Sequence, residues 1–78
     1  MVKMTVKIDT VLDAKQFVNI CNLADFDIDL ISGRYVIDAK SIMGIFSLDL
    51  SKPLELQADC GEDEPLLKKL ETFVVRDF

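Results

Sequence analysis

The sequence predicts a small α+β fold, an open-faced sandwich in which a four-stranded antiparallel sheet carries three helices on one face. Three observations lead there. Seventy-eight residues suffice for one domain, spanning 1–78, that buries only about 60–65% of the surface its unfolded chain exposes. Four short stretches alternate apolar and polar residues with period two, so each has one face for the core and one for water. Two stretches between them and a third after the last have helical apolar spacing, and sheets with one polar face gather their helices on the other. The element order is β-α-β-β-α-β-α.

The first strand is expected over Met1 to Ile8, with Val2, Met4, Val6 and Ile8 on one face and Lys3, Thr5 and Lys7 on the other. Thr10 then precedes a helix. Thr10 and Asp13 have the spacing of a capping box, with Asp in place of the usual Glu. Ala14, Phe17, Val18, Cys21 and Ala24 form its buried side, while Lys15, Gln16, Asn19 and Asn22 fall mostly opposite. In "FDIDLISGRYVID", Phe26, Ile28 and Leu30 alternate with Asp27 and Asp29 as a second strand. "SGR" supplies a tight turn with Gly33 free to take positive φ, and Tyr35 to Ile37 returns as the third strand. Ser41 caps a short helix over "IMGIFSLDL", and "LELQA" at 54–58 is the fourth strand. Gly61 breaks that strand. Three acids and Pro65 are placed in the first turn of a last helix, where acids complement the helix dipole and proline is tolerated. Its stripe is Leu66, Leu67, Leu70, Phe73 and Val74.

Composition narrows the chemistry. Nine Lys+Arg against fourteen Asp+Glu leave a net charge of −5, and no basic cluster gathers to neutralise phosphates, which disfavours nucleic-acid binding. The longest apolar runs are too short to span a bilayer, and the alternating N-terminus is unlike a signal peptide. A cytoplasmic protein with no membrane association is expected. Cys21 and Cys60 have no metal-ligand spacing and the chain lacks histidine. They read as reduced thiols, one in a helix face and one at a strand end, with a disulfide between them the alternative. No metal or cofactor is expected. The acids Asp25, Asp27 and Asp29 lack the loop a calcium site needs. No Ser-His-Asp, Cys-His, P-loop or dinucleotide-binding pattern occurs, so an enzyme is not indicated.

From "AKSIMGIFSLDLSKPLELQADCGEDEPLLKKLETF" the chain resembles the HPr family, the small phosphocarriers of the bacterial sugar phosphotransferase system. "KSIMG", the following "SL", the strand "LEL" and a glycine with acids opening the last helix match in order, and the element order agrees over nearly the whole chain. Phosphate-carrying members use a histidine at the start of the first helix, beside an arginine and a proline. Thr10 stands at that histidine's place, and Leu12 and Asp13 stand where the arginine and proline would be. Neighbouring Asp9 and Val11 are no better as acceptors. Relay needs a nucleophile that works near neutral pH and whose phospho form stays reactive, as imidazole does. A threonine ester would not pass the group on.

Many family members are instead phosphorylated by a dedicated kinase on the serine directly before "IMG", and a catabolite-repression subgroup lacks the histidine yet keeps that serine. Ser41 occupies its position. The resemblance thus implies a non-catalytic regulatory protein with Ser41 as phosphorylation site. It also implies a docking patch of Lys40, Ser41, Ile42, Met43 and Phe46, with the serine kinase/phosphorylase, a transcriptional regulator or phosphotransferase components as partners. On periodicity alone Ser41 is a helix cap worth about 1 kcal/mol, and Ile42 and Phe46 at i and i+4 could simply pack on the sheet. Asp49 departs from the small residue usual there in the family.

Overall fold

The computed structural model describes residues 1–75. Its elements are β1 (Val2–Val6), α1 (Val11–Cys21), β2 (Ile28–Ser32), β3 (Tyr35–Asp38), α2 (Ile42–Phe46), β4 (Leu54–Ala58) and α3 (Leu66–Leu70), followed by a 3-10 turn, Glu71–Phe73. The strands form one antiparallel sheet in the order β1-β4-β2-β3. Leu56 lies opposite both Met4 and Leu30, and Leu54 opposite Val6. The period-two alternation therefore sends Val6, Ile28, Leu30, Leu54, Leu56 and Ala58 into the core beneath the helices. This is the α+β architecture that the pattern predicts.

Phe17 of α1 and Ile45 of α2 are fully buried against that face, as is Leu70 of α3. Phe17 meets Phe73 edge-to-face, with ring centroids 5.3 Å apart and planes at 88°, a geometry favoured by the ring quadrupoles. Among the described residues no polar or charged side chain is buried, so desolvation of the core carries no unpaired polar cost.

Several boundaries differ from the sequence reading for local reasons. β1 ends at Val6, not Ile8, because its partner strand begins at Leu54, just after Pro53, which has no N–H to extend the ladder. Ile8 stays fully buried all the same. Phe26 is half-buried and precedes β2. α2 stops at Phe46. There Ser47 Oγ donates to Gly44 O at 2.6 Å, and Asp49 Oδ1 accepts the Ser51 N–H at 3.1 Å, side-chain bonds that favour a turn over continued helix. Glu62 and Asp63 lie in the turn before α3 instead of in its first turn, and Glu64 Oε2 accepts the Leu66 N–H at 3.1 Å.

The largest difference lies after Phe73. Val74 leaves the helical stripe, adopts extended backbone and bridges Val6. The Lys7 N–H donates to Phe73 O and the Val75 N–H donates to Thr5 O, each at 2.9 Å. The free edge of β1 offers ladder bonds that draw residues 73–75 out of the helix. Residues 76–78, with which the sequence reading closes the last segment, lie outside the described residues.

Candidate functional site

Ser41 ends the β3–α2 connection in extended conformation, φ −103° and ψ 111°. Three bonds hold it. Its N–H donates to Asp38 O at 3.0 Å, its carbonyl accepts the Ile45 N–H at 3.1 Å, and its Oγ accepts the Gly44 N–H at 3.1 Å. It is a genuine N-cap, half-buried, with one of its hydroxyl lone pairs engaged.

Around it, α2 divides its apolar residues. Ile45 goes into the core and Leu48 is half-buried. Met43 is 76% exposed and Phe46 42%. Ile42 is intermediate: it packs on the core rim and, with Lys15, Val18 and Asn19 of α1, lines a shallow groove of about 300 Å³. The two sequence alternatives for α2 are thus shared out, with Ile42 partly inward and Met43 and Phe46 outward. Gly44 lets the helix lie close to the sheet, since a Cβ there would stand 3.3 Å from Ser41 Oγ and 3.4 Å from Ile37 Cδ1.

Lys40 is employed differently from its neighbours. Its ammonium donates to Ala24 O at 3.1 Å, and its backbone N–H donates to Asp38 Oδ1 at 2.9 Å. Asn22 Nδ2 donates to Lys40 O at 3.2 Å and to Val18 O at 2.9 Å. α1 has no basic residue in its own last turn. Lys40 supplies that cation from another segment, at the negative end of the helix dipole.

At the other end of α1, Thr10 Oγ1 accepts the Asp13 N–H at 3.0 Å and Asp13 Oδ2 accepts the Thr10 N–H at 3.3 Å. The expected capping box is complete. Val11 and Leu12, immediately beyond it, are exposed, and sequence reasoning did not single them out as surface. Leu12 was detectable, because at i+3 and i+7 it is followed by Lys15 and Asn19, the polar row of α1. Val11 falls on the buried stripe by spacing yet remains exposed in the first turn.

Ionisable groups nearby are mild. The Ser51 hydroxyl, and then its N–H, hold the Asp49 carboxyl below its usual range. Both cysteines are free. Burial pushes the Cys21 thiol up to about 12, and burial followed by the Glu64 charge raises Cys60. Among the described residues no group of three His, Cys, Asp or Glu side chains is placed to hold a metal ion, and no helix is long and apolar enough to cross a membrane. What the geometry offers is a capped serine beside an exposed apolar surface.

No protein-family model and no curated protein matches the chain. Solved structures do. HPr-C-His from Thermoanaerobacter tengcongensis is 28% identical over 92% of this chain and 89% of its own, with a TM-score of 0.77. The phosphocarrier protein HPr of Bacillus anthracis is 25% identical over 95% and 96%, with a TM-score of 0.70. The chain is similar to HPr proteins in fold and sequence. Crh, the catabolite repression containing protein of Bacillus subtilis, solved as a swapped dimer, is 28% identical over 86% of this chain and 79% of its own, at TM-score 0.65. In this HPr-like chain, Thr10 caps α1 and Ser41 caps α2.

Proposed function

We propose that this HPr-like protein is a regulatory binding protein of sugar phosphotransferase or carbon-catabolite signalling, working in the cytoplasm and not as an enzyme. The HPr-like neighbours support a phosphocarrier or regulatory role at the coarser level. Regulation is the reading that suits the residues. The chain has no histidine, and Thr10, at the family's acceptor position, has its hydroxyl tied into a capping box with Asp13. The observation that carries the proposal is Ser41 standing as N-cap next to exposed Met43 and Phe46.

A kinase would transfer the γ-phosphoryl of ATP to Ser41 Oγ, releasing ADP as the hydroxyl proton leaves to solvent or a base. The modified cap adds about −1.5 to −2 charges and three acceptor oxygens next to the amide of Gly44. Favourable pairing with exposed helix amides is worth roughly 0.3–1 kcal/mol, so the fold tolerates the group. Beside it, an apolar surface becomes apolar and anionic. Partner choice then depends on phosphorylation, with Ile42, Met43 and Phe46 as the contact surface. Lys40 holds the connection to α1 through Ala24 O, and its remaining ammonium N–H groups and charge are available to moderate the phosphate. The expected partners are a serine kinase/phosphorylase, a transcriptional regulator or phosphotransferase components.

The Ser41–Gly44 bond also favours a second reading: a constitutive binding module with Ser41 as a cap only. Intact-mass spectrometry after incubation with a bacterial HPr serine kinase and ATP separates the two. One phosphate on the parent and none on Ser41→Ala supports the switch. No phosphate on folded protein supports the constitutive module.

A further inference from the structure

The two edges of the sheet are not alike. On the outer side of β1, residues 73–75 are already bonded to the strand's end through Lys7 N–H to Phe73 O and Val75 N–H to Thr5 O. β3 closes the other side of the sheet and, among the described residues, no strand pairs with its outer edge, where one backbone group, Asp38 O, accepts the Ser41 N–H at 3.0 Å. A strand edge with unpaired amides is a template for another strand.

The phase of that edge follows from β2. The two-residue turn Gly33–Arg34 closes on the pair Ser32 and Tyr35, and the Ala39 N–H donates to Ile28 O at 2.9 Å. Tyr35, Ile37 and Ala39 therefore direct their backbone groups at β2, while Val36 and the Asp38 N–H face outward, with Arg34 in the turn at the end of that edge. The sequence at this edge is self-complementary about Val36. Reversing Arg34-Tyr35-Val36-Ile37-Asp38 sets Val36 against itself, Tyr35 against Ile37, and Arg34 against Asp38.

Charge and burial agree with that register. Asp38 is directly opposite Asp29 in the sheet, two carboxylates side by side, a destabilising cross-strand pair. The ion pair found among the described residues is Lys7–Asp9, so neither of these carboxylates has a cation partner there, and Arg34 has no carboxylate. Val36 is 62% exposed beside Ile31 on the open face of the sheet, and Tyr35 is 70% exposed.

We propose that two copies of this chain associate edge to edge through β3, antiparallel across a two-fold axis at Val36, making one eight-stranded sheet. The partner's Arg34 then stands opposite Asp38 and next to Asp29, and the same pairing recurs at the other end. Val36 and Ile31 of each copy form a four-residue apolar cluster on the open face. Nothing is exchanged between the copies, so this dimer differs from a strand-swapped one.

Sedimentation equilibrium of the full chain over roughly 10 μM to 1 mM, the affinity range suited to a small interface, should show a monomer–dimer equilibrium. Val36→Lys should weaken it roughly tenfold or more. Arg34→Asp and Asp38→Arg should each weaken self-association similarly, while an equimolar mixture of the two regains dimer because the charges again alternate. Val36→Cys should form a covalent dimer under mild oxidation, since hydrogen-bonded cross-strand Cα atoms lie about 5.5 Å apart, within disulfide reach. Tyr35→Cys, facing Ile37, should not. Far-UV circular dichroism confirms that each variant folds. A monomer at every concentration overturns the proposal, and so does a dimer that Val36→Lys leaves at parental affinity.

Discussion

Cys21 lies wholly within the core on the inner side of α1, and its thiol makes the fold's stability depend on alkaline pH. Burial raises its pKa from 9.0 to about 12, with the Lys40 charge pulling slightly downward and Asp38 slightly upward. In the unfolded chain the thiol ionises near its ordinary value; in the folded protein it stays protonated. The folded pKa is the higher one, so the stabilisation is fully present below pH 9 and is lost as pH rises toward 12. At about pH 10.5 the unfolded thiolate is favoured by some 1.5 pH units, or about 2 kcal/mol at 1.36 kcal/mol per unit. That is a large part of the stability of a domain this size, roughly 4–12 kcal/mol. Urea titrations at about pH 8 and pH 10.5 on the parent and on Cys21→Ala measure it. Groups that titrate alike in both proteins cancel, leaving the parent to lose about 2 kcal/mol more than the variant. Equal losses in the two proteins would refute the reasoning, as would rapid alkylation of Cys21 in folded protein at pH 8.

Two other perturbations test the scaffold. Thr10→Ala removes one half of the capping box and should cost about 1 kcal/mol, a drop of about 4–8 °C in Tm for a domain of this length by calorimetry. A double-mutant cycle with Phe17→Leu and Phe73→Leu should return a coupling of about 0.5–1.5 kcal/mol in chemical denaturation, and additive losses would mean that the edge-to-face contact contributes only buried area.

Features written in neighbouring residues were legible in the sequence. β4 could be read to the residue because its alternation is bounded by Pro53 and Gly61. The capping box of α1 is a spacing of three, and Gly33 takes φ 59° where a two-residue hairpin turn needs positive φ. The Ser41 cap was likewise local. What escaped was set by partners distant in sequence. Lys40 was expected in the docking patch, and its bond to a carbonyl sixteen residues earlier was not legible. Val74 fits a helical stripe by spacing, but the edge of β1 competes for it. No window along the chain contains both sides of either choice. At the candidate site, therefore, the serine and the exposed Met43 could be read from the sequence, while the clamp beneath them could not.

The bond pattern at β1 also has a consequence for how the chain comes to fold. The strand is made before both of its neighbours, β4 on one side and residues 73–75 on the other. Its second support is synthesised about seventy residues later, a wait of roughly 4–14 s at ordinary translation rates of 5–20 residues per second. Val2, Met4 and Val6 have a ladder to join once β4 is made, but the outer edge of β1 stays open until residues 73–75 follow. Closure of the sheet around β1 is thereby deferred, because the bonds that cover its outer edge join segments far apart in sequence.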